Sequence, residues 1–150
     1  MDFETLTFTR RLPCSAERAF HILTDRAMRE RWGKPHETTR LDIDHHDFRV
    51  GGTEVSRCGP TGGPEFHATV TFHVIEAPRL MICTEVLTSE AAPMVVNLAT
   101  HEIADDGDGV RLDITLQLSG RDGDGMADGF REGWSLALDN MVRMAEGVPA

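Results

Sequence analysis

Apolar and polar positions alternate along most of this chain and change to a helical spacing in two places only. Phe3 to Leu12 alternates, with Leu6, Phe8 and Leu12 on one parity and Thr5, Thr7 and Thr9 on the other, the pattern of a half-buried strand. Pro13 ends it. Ser15 then predicts an N-cap and Ala16 to Leu23 a short helix with Ala19, Phe20 and Leu23 toward the core. Asp25 predicts a second cap, opening a short helix through Trp32 that Gly33, Lys34 and Pro35 stop.

From Leu41 the two-residue period returns. Leu41, Ile43 and His45 alternate with Asp42, Asp44 and His46, Gly51-Gly52 marks a turn, and Thr53 to Cys58 predicts a strand before a loop from Gly59 to Pro64. Phe66, Ala68, Val70, Phe72 and Val74 oppose His67, Thr69, Thr71 and His73 in the cleanest alternation of the chain. Ala77-Pro78 turns the chain into a strand over Leu80 to Leu87. A loop over Ser89 to Pro93, a strand over Val95 to Ile103 and a polar turn over Asp105 to Gly109 follow. Val110, Leu112, Ile114, Leu116 and Leu118 then alternate again.

Strands joined by short turns with no helix between them predict an antiparallel meander, not a parallel βαβ sheet. One-sided alternation leaves one face covered and one wet. After the expected cap Asp124, the residues Met126, Phe130, Gly133, Trp134, Ala137, Leu138, Met141 and Met144 fall at helical spacing as far as about Glu146. Such a helix is ~30 Å long, enough to cross a small domain. A twisted sheet of this many strands curls, and only this helix is large enough to fill the groove. The expected class is α+β.

With 150 residues, 40% of them hydrophobic, the chain suits one domain over 1–150. The net charge of −10 argues against nucleic acid and against an anionic membrane surface as partners. No apolar run approaches the ~18 residues of a membrane span. The acidic start Met1-Asp2-Phe3-Glu4 is unlike a signal peptide, and Cys14, Cys58 and Cys83 are too few and too scattered for a disulfide framework. A cytoplasmic protein with reduced thiols is expected.

Candidate chemistry concentrates on one strand. Val95, Asn97, Ala99, His101 and Ile103 share a parity that mixes apolar and polar groups. Buried, Asn97 and His101 would cost several kcal/mol unless hydrogen-bonded, so they line a cavity, form a satisfied core pair, or lie on the wet face. A neutral His101 suits the orienting of a carbonyl or general-base work, but no nucleophile partner can be named for it. Glu54, Ser56 and Cys58 share a face and would give a pocket an acidic end. An edge strand of undefined parity is the favoured reading of them.

Metal readings fail on geometry. Adjacent His45 and His46 point to opposite faces, and both read as surface residues. His67 and His73 stand ~20 Å apart along a strand. The acidic stretches at 105–109 and 122–125 lack the spacing of a calcium loop and read as turns and a cap. No metal and no cofactor is expected.

Several segments together resemble one family. Asp47-Phe48-Arg49-Val50-Gly51-Gly52 is similar to its D-x-R-x-G-G turn, and Glu76-Ala77-Pro78-Arg79-Leu80 to its turn into the central strand. Gly107-Asp108-Gly109-Val110-Arg111-Leu112 resembles its G-x-G-T-R-L turn, with Val110 in place of Thr. Gly133-Trp134 with Leu136, Leu138 and Asn140 resembles its C-terminal helix. The segment from Pro13 to Phe20 resembles its P-x-S-x-E-x-V-F opening, and Trp32 its second-helix Trp.

By these motifs the chain resembles the activator of heat-shock protein 90 ATPase homologue-like family, within the START-like (SRPBCC, Bet v 1-like) superfamily. The resemblance implies a helix-grip fold: a curved six- to seven-stranded antiparallel sheet wrapped around a long C-terminal helix, with two short helices after the first strand. It also implies that the parity of Asn97 and His101 faces the helix, across a space that relatives often use for a hydrophobic ligand. The function expected is binding of a small hydrophobic or amphipathic molecule, by a monomer or homodimer. Trp32, Glu54, Asn97, His101, Phe130, Trp134, Leu138 and Met141 are the residues expected near it. An enzyme of cyclase or hydrolase type using the same cavity, and a co-chaperone-like module with a chaperone partner, are the alternatives.

Overall fold

The computed structural model describes residues 2–34, 37–62, 65–89, 92–121 and 126–147. Strand β1 (Asp2–Leu12) leads into helices α1 (Ala16–Thr24) and α2 (Arg26–Trp32). Then come β2 (Thr39–His46), β3 (Thr53–Pro60), β4 (Phe66–Glu76), β5 (Leu80–Ser89), β6 (Ala92–Asp106) and β7 (Gly109–Gly120), and helix α3 (Met126–Ala145) closes the chain. One antiparallel sheet holds all seven strands in the order β1-β7-β6-β5-β4-β3-β2, a helix-grip arrangement. The meander runs from β2 to β7, and β1 crosses over to pair with β7 from Asp2↔Gly120 to Leu12↔Val110. The two short helices form that crossover.

Local chemistry sets the element ends. The Ser15 hydroxyl accepts from the Arg18 amide at 3.1 Å, and the Asp25 carboxylate accepts from the Met28 amide at 3.2 Å, so both short helices start on side-chain caps. The cap expected at Asp124, the stop at Pro35, the loop residues Gly63 and Pro64, and the acidic stretch at 122–125 lie outside the described residues. In the turn before β3, Gly51 has φ +83°, and a Cβ on Gly52 would sit 2.1 Å from the Asp47 carbonyl oxygen. Only glycine fits there. Gly59 and Pro60, expected in a loop, extend β3 by pairing with Arg40 and Thr39.

The core lies between the concave face of the sheet and the three helices. Leu6, Phe8 and Leu12 of β1 and Val110, Leu112, Ile114, Leu116 and Leu118 of β7 are buried, as their parity predicts. Leu138 and Met141 of α3 are 1% and 0% exposed. Each buried side chain of this size contributes about 1.5–3 kcal/mol. Arg10 of β1 fastens the helix from outside, donating to Asp139 and to the Ser135 hydroxyl, each at 3.1 Å. The buried Asn140 donates to the Lys34 carbonyl at 2.8 Å, tying α3 to the end of α2.

Two bulges change the expected parities. One falls between Ile43 and His45, so Asp44 and His45 are both exposed and His46 turns inward. The surface reading of His46 is therefore wrong: its side chain is 14% exposed and its ring stacks on Phe48 at 6.1 Å. The second bulge falls between Phe72 and Val74 and moves Ile75, not Val74, against the core. β3 is not an edge strand, since it pairs with β2 and β4, and Glu54 and Ser56 are each 2% exposed on its inner face. Among the described residues no helix is long and apolar enough to cross a membrane.

A candidate binding site: a small chamber behind a larger cavity

Two connected-walled spaces lie between the sheet and the helices. The inner chamber, about 50 Å³, has mostly apolar walls, from Leu23 and Phe72 to Met81 and Trp134, into which Glu54, Glu85, Asn97 and His101 of β3, β5 and β6 bring polar groups. The outer cavity, about 440 Å³, lies between the sheet around Ala68, Leu87 and Val95 and α3 at Phe130, Gly133 and Ala137. Arg29, Trp32, Glu85 and Trp134 line both and stand between them.

Helix α2 supplies two of these residues. Arg29 and Trp32 are three apart, on one side of the helix. The Arg29 guanidinium lies over the Trp32 ring at 4.7 Å, and the Trp32 indole donates to the Ile22 carbonyl at 2.7 Å, so the indole is fixed by α1. Arg29 Nη2 donates to Glu54 Oε2 at 2.9 Å, and the other oxygen of Glu54 is 3.1 Å from His46 Nδ1. The Glu54 carboxylate thus has partners on both oxygens, as burial of a charge requires. Trp134 reaches in from α3 and meets Trp32 at 6.1 Å, His101 at 6.2 Å and Phe8 at 6.5 Å between ring centroids.

The floor comes from β5 and β6. Asn97 faces Glu85 and His101 faces Met81 across the ladder. Asn97 is 1% exposed, and its Oδ1 has no hydrogen-bond partner among the described residues. Burial raises the Glu85 carboxyl above its ordinary value, while Arg29 and a hydrogen bond from Asn97 pull it back down and Glu54 pushes it up. His101 Nδ1 is 3.2 Å from the Met81 carbonyl, which can only accept, so Nδ1 carries the hydrogen. Burial pushes this ring down to about 4, so it is neutral near pH 7 and its Nε2 is a bare lone pair. The thiols are quiet: burial pushes Cys58 up to about 11 and Cys83 up to about 12.

Of the residues singled out in the sequence, Trp32, Glu54, Asn97, His101 and Trp134 border the inner chamber, and Phe130 borders the outer cavity with the two tryptophans. Leu138 and Met141 border neither. They lie further along α3, packed into the core. Three site residues escape a reading of the sequence. His46 is turned inward by a bulge. Arg29 sits on a short helix whose charges read as solvated. Glu85 shares the parity of Met81, Cys83 and Leu87, and one acid among three apolar residues is the signal that marks it.

Comparison with known proteins agrees with this architecture. The family model described as "Activator of Hsp90 ATPase homolog 1-like protein" matches residues 13–146. The crystal structure of the Mll3558 protein from Rhizobium loti is similar with 33% identity and a TM-score of 0.82, over 94% of this chain and 96% of that one. Protein CV1439 from Chromobacterium violaceum shares the fold at 19% identity, with a TM-score of 0.84 over 95% of this chain and 96% of that one. Protein Ms6760 from Mycobacterium smegmatis does so at 17% identity, with a TM-score of 0.81 over 96% and 95%. No curated protein matches the chain.

Proposed function

We propose that this chain, which belongs to the activator of Hsp90 ATPase homolog 1-like family, binds one small amphipathic molecule between its sheet and α3. The observation that carries this reading is the outer cavity of about 440 Å³. Ligand sites are typically ~300–1,000 Å³, mostly apolar, with a few polar groups at one end. Here the apolar walls lead to Arg29, Glu85 and the chamber behind them. An unpaired buried acceptor at Asn97 costs about 1–3 kcal/mol. A ligand that satisfies it recovers part of that cost.

Binding is favoured over catalysis by the same electrostatics. A histidine whose ring titrates at about 4 is a weak base at neutral pH, and the raised thiols of Cys58 and Cys83 are poor nucleophiles. The co-chaperone reading rests on the family's name. The test is titration with short-chain amphiphiles, followed through Trp32 and Trp134, the only tryptophans of the chain. One equivalent should bind, and Ala137→Phe, which fills the outer cavity, should abolish binding while the fold persists. Binding unchanged in Ala137→Phe would refute the site.

A further inference from the structure

Donors and acceptors are unequally shared around the inner chamber. Its one cation, Arg29, is already engaged with Glu54 and stacked on Trp32. Asn97 Oδ1 is buried without a partner, and the Glu85 carboxylate faces it from the neighbouring strand. Deeper along β6, His101 offers Nε2 as a lone pair, because Nδ1 is committed to the Met81 carbonyl. The open positions that β5 and β6 offer are therefore acceptors: an amide oxygen, a carboxylate and an imidazole nitrogen. The unpartnered buried donor among the described residues, Arg40 Nε, belongs to the outer cavity and does not line the chamber.

Charge is unbalanced in the same direction. Arg29 neutralises Glu54, and among the described residues no second cation lines the chamber to neutralise Glu85. An ionised Glu85 leaves one net negative charge where the dielectric is low and unpaired charge is costly. Glu85 lines both spaces, so it joins the outer cavity to the chamber.

We infer that the ligand's polar end is a primary ammonium, donating to Glu85 and to Asn97 Oδ1 while its apolar body fills the outer cavity. This rests on the binding function proposed above and names the head group for that site. A neutral hydroxyl would fill one acceptor and leave the charge unbalanced. A carboxylate beside Glu85 would meet its charge and two lone pairs, and the one Arg29 charge would then face three carboxylates, Glu54, Glu85 and the ligand. The raised Glu85 carboxyl agrees: its charge is disfavoured in the empty protein and restored by a cation beside it. The net charge of −10 also draws cations toward the protein.

Three probes that share an octyl chain separate the possibilities. Octylamine, 1-octanol and octanoate are titrated into the full chain by calorimetry at pH 7. Octylamine should bind about tenfold or more tighter than 1-octanol, the value of one charge-assisted hydrogen bond. Glu85→Gln, isosteric and uncharged, should bring octylamine down to the affinity that 1-octanol has for the same variant. Asn97→Leu should also weaken the amine selectively, and it gives a second variant should Glu85→Gln misfold. Octanol or octanoate binding as tightly as the amine overturns the head-group inference and leaves the cavity standing as a site. No binding by any of the three overturns the site and the inference together.

Discussion

Replacing Arg29 by Met should destabilise the protein by about 3 kcal/mol, because it strands a buried carboxylate. The Glu54 side chain is 3% exposed and that of Arg29 is 21% exposed, so the pair is screened by water on one side only. Breaking a fully buried pair costs about 3–5 kcal/mol, and the partial exposure of Arg29 places this one at the lower end. Met keeps much of the aliphatic packing against Trp32, so the loss reports charge more than contact area. Part of the effect, about 0.5–1 kcal/mol, belongs to the cation over the indole. In a chain of this length that total lowers Tm by about 6–12 °C. The assay is urea unfolding at pH 7 followed by circular dichroism, with the double variant Arg29→Met, Glu54→Leu alongside. Removing both charges should recover at least half of the loss, because a buried pair replaced by apolar groups is nearly neutral. Glu85 loses the same cation, so adding Glu85→Gln should recover more. An Arg29→Met cost under about 0.5 kcal/mol, or a double variant no more stable than the single, would refute the buried pair as described.

His101 should impose a pH dependence of known sign. Its folded value of about 4 lies below the ordinary 6.5, so between these limits the unfolded chain binds the proton and the folded one does not. The contribution is intact above about pH 6.5 and is lost as pH falls toward 4, with a ceiling of about 3 kcal/mol. Measured from pH 4 to 7, the unfolding free energy of wild type should fall relative to that of His101→Gln toward the acid end, by up to that amount; parallel profiles would contradict the buried neutral ring. Gly133 lines the outer cavity in the middle of α3, and a Cβ there would meet nothing within 4 Å. Gly133→Ala should therefore stabilise the empty protein by about 0.5–1 kcal/mol and weaken ligand binding, whereas a destabilised variant would show that the space is filled.

Most of the fold was legible because it rests on unbroken periods. From Val95 to Ile103 no bulge interrupts β6 on the sheet side, so the alternation carries Asn97 and His101 to the inner face. The same holds for β7 and for the stripe of α3. Reading failed where one residue was inserted. The bulges after Ile43 and after Phe72 leave no mark in residue type, yet each reverses the parity that follows, which is how His46 reached Glu54 unannounced. Arg29 and Glu85 were missed for a related reason. A charge reads as solvated until its partner is known, and the partners lie 25 residues away on β3 and across a ladder on β6. Leu138 and Met141 show the converse: a helical stripe does not say where core ends and cavity begins.

Binding between the sheet and α3 requires that the outer cavity admit an apolar chain up to Trp134. Uniform nitrogen-15 labelling gives two indole N–H signals, one from Trp134 and one from Trp32, whose indole is bonded to the Ile22 carbonyl. Titration with octylamine should shift both signals, together with the backbone amides of Ala68, Leu87 and Ala137, and should saturate at one equivalent. Shifts confined to the outer face of the sheet, around the exposed Val96 and Leu98, or two indole signals unmoved at saturation, would contradict it.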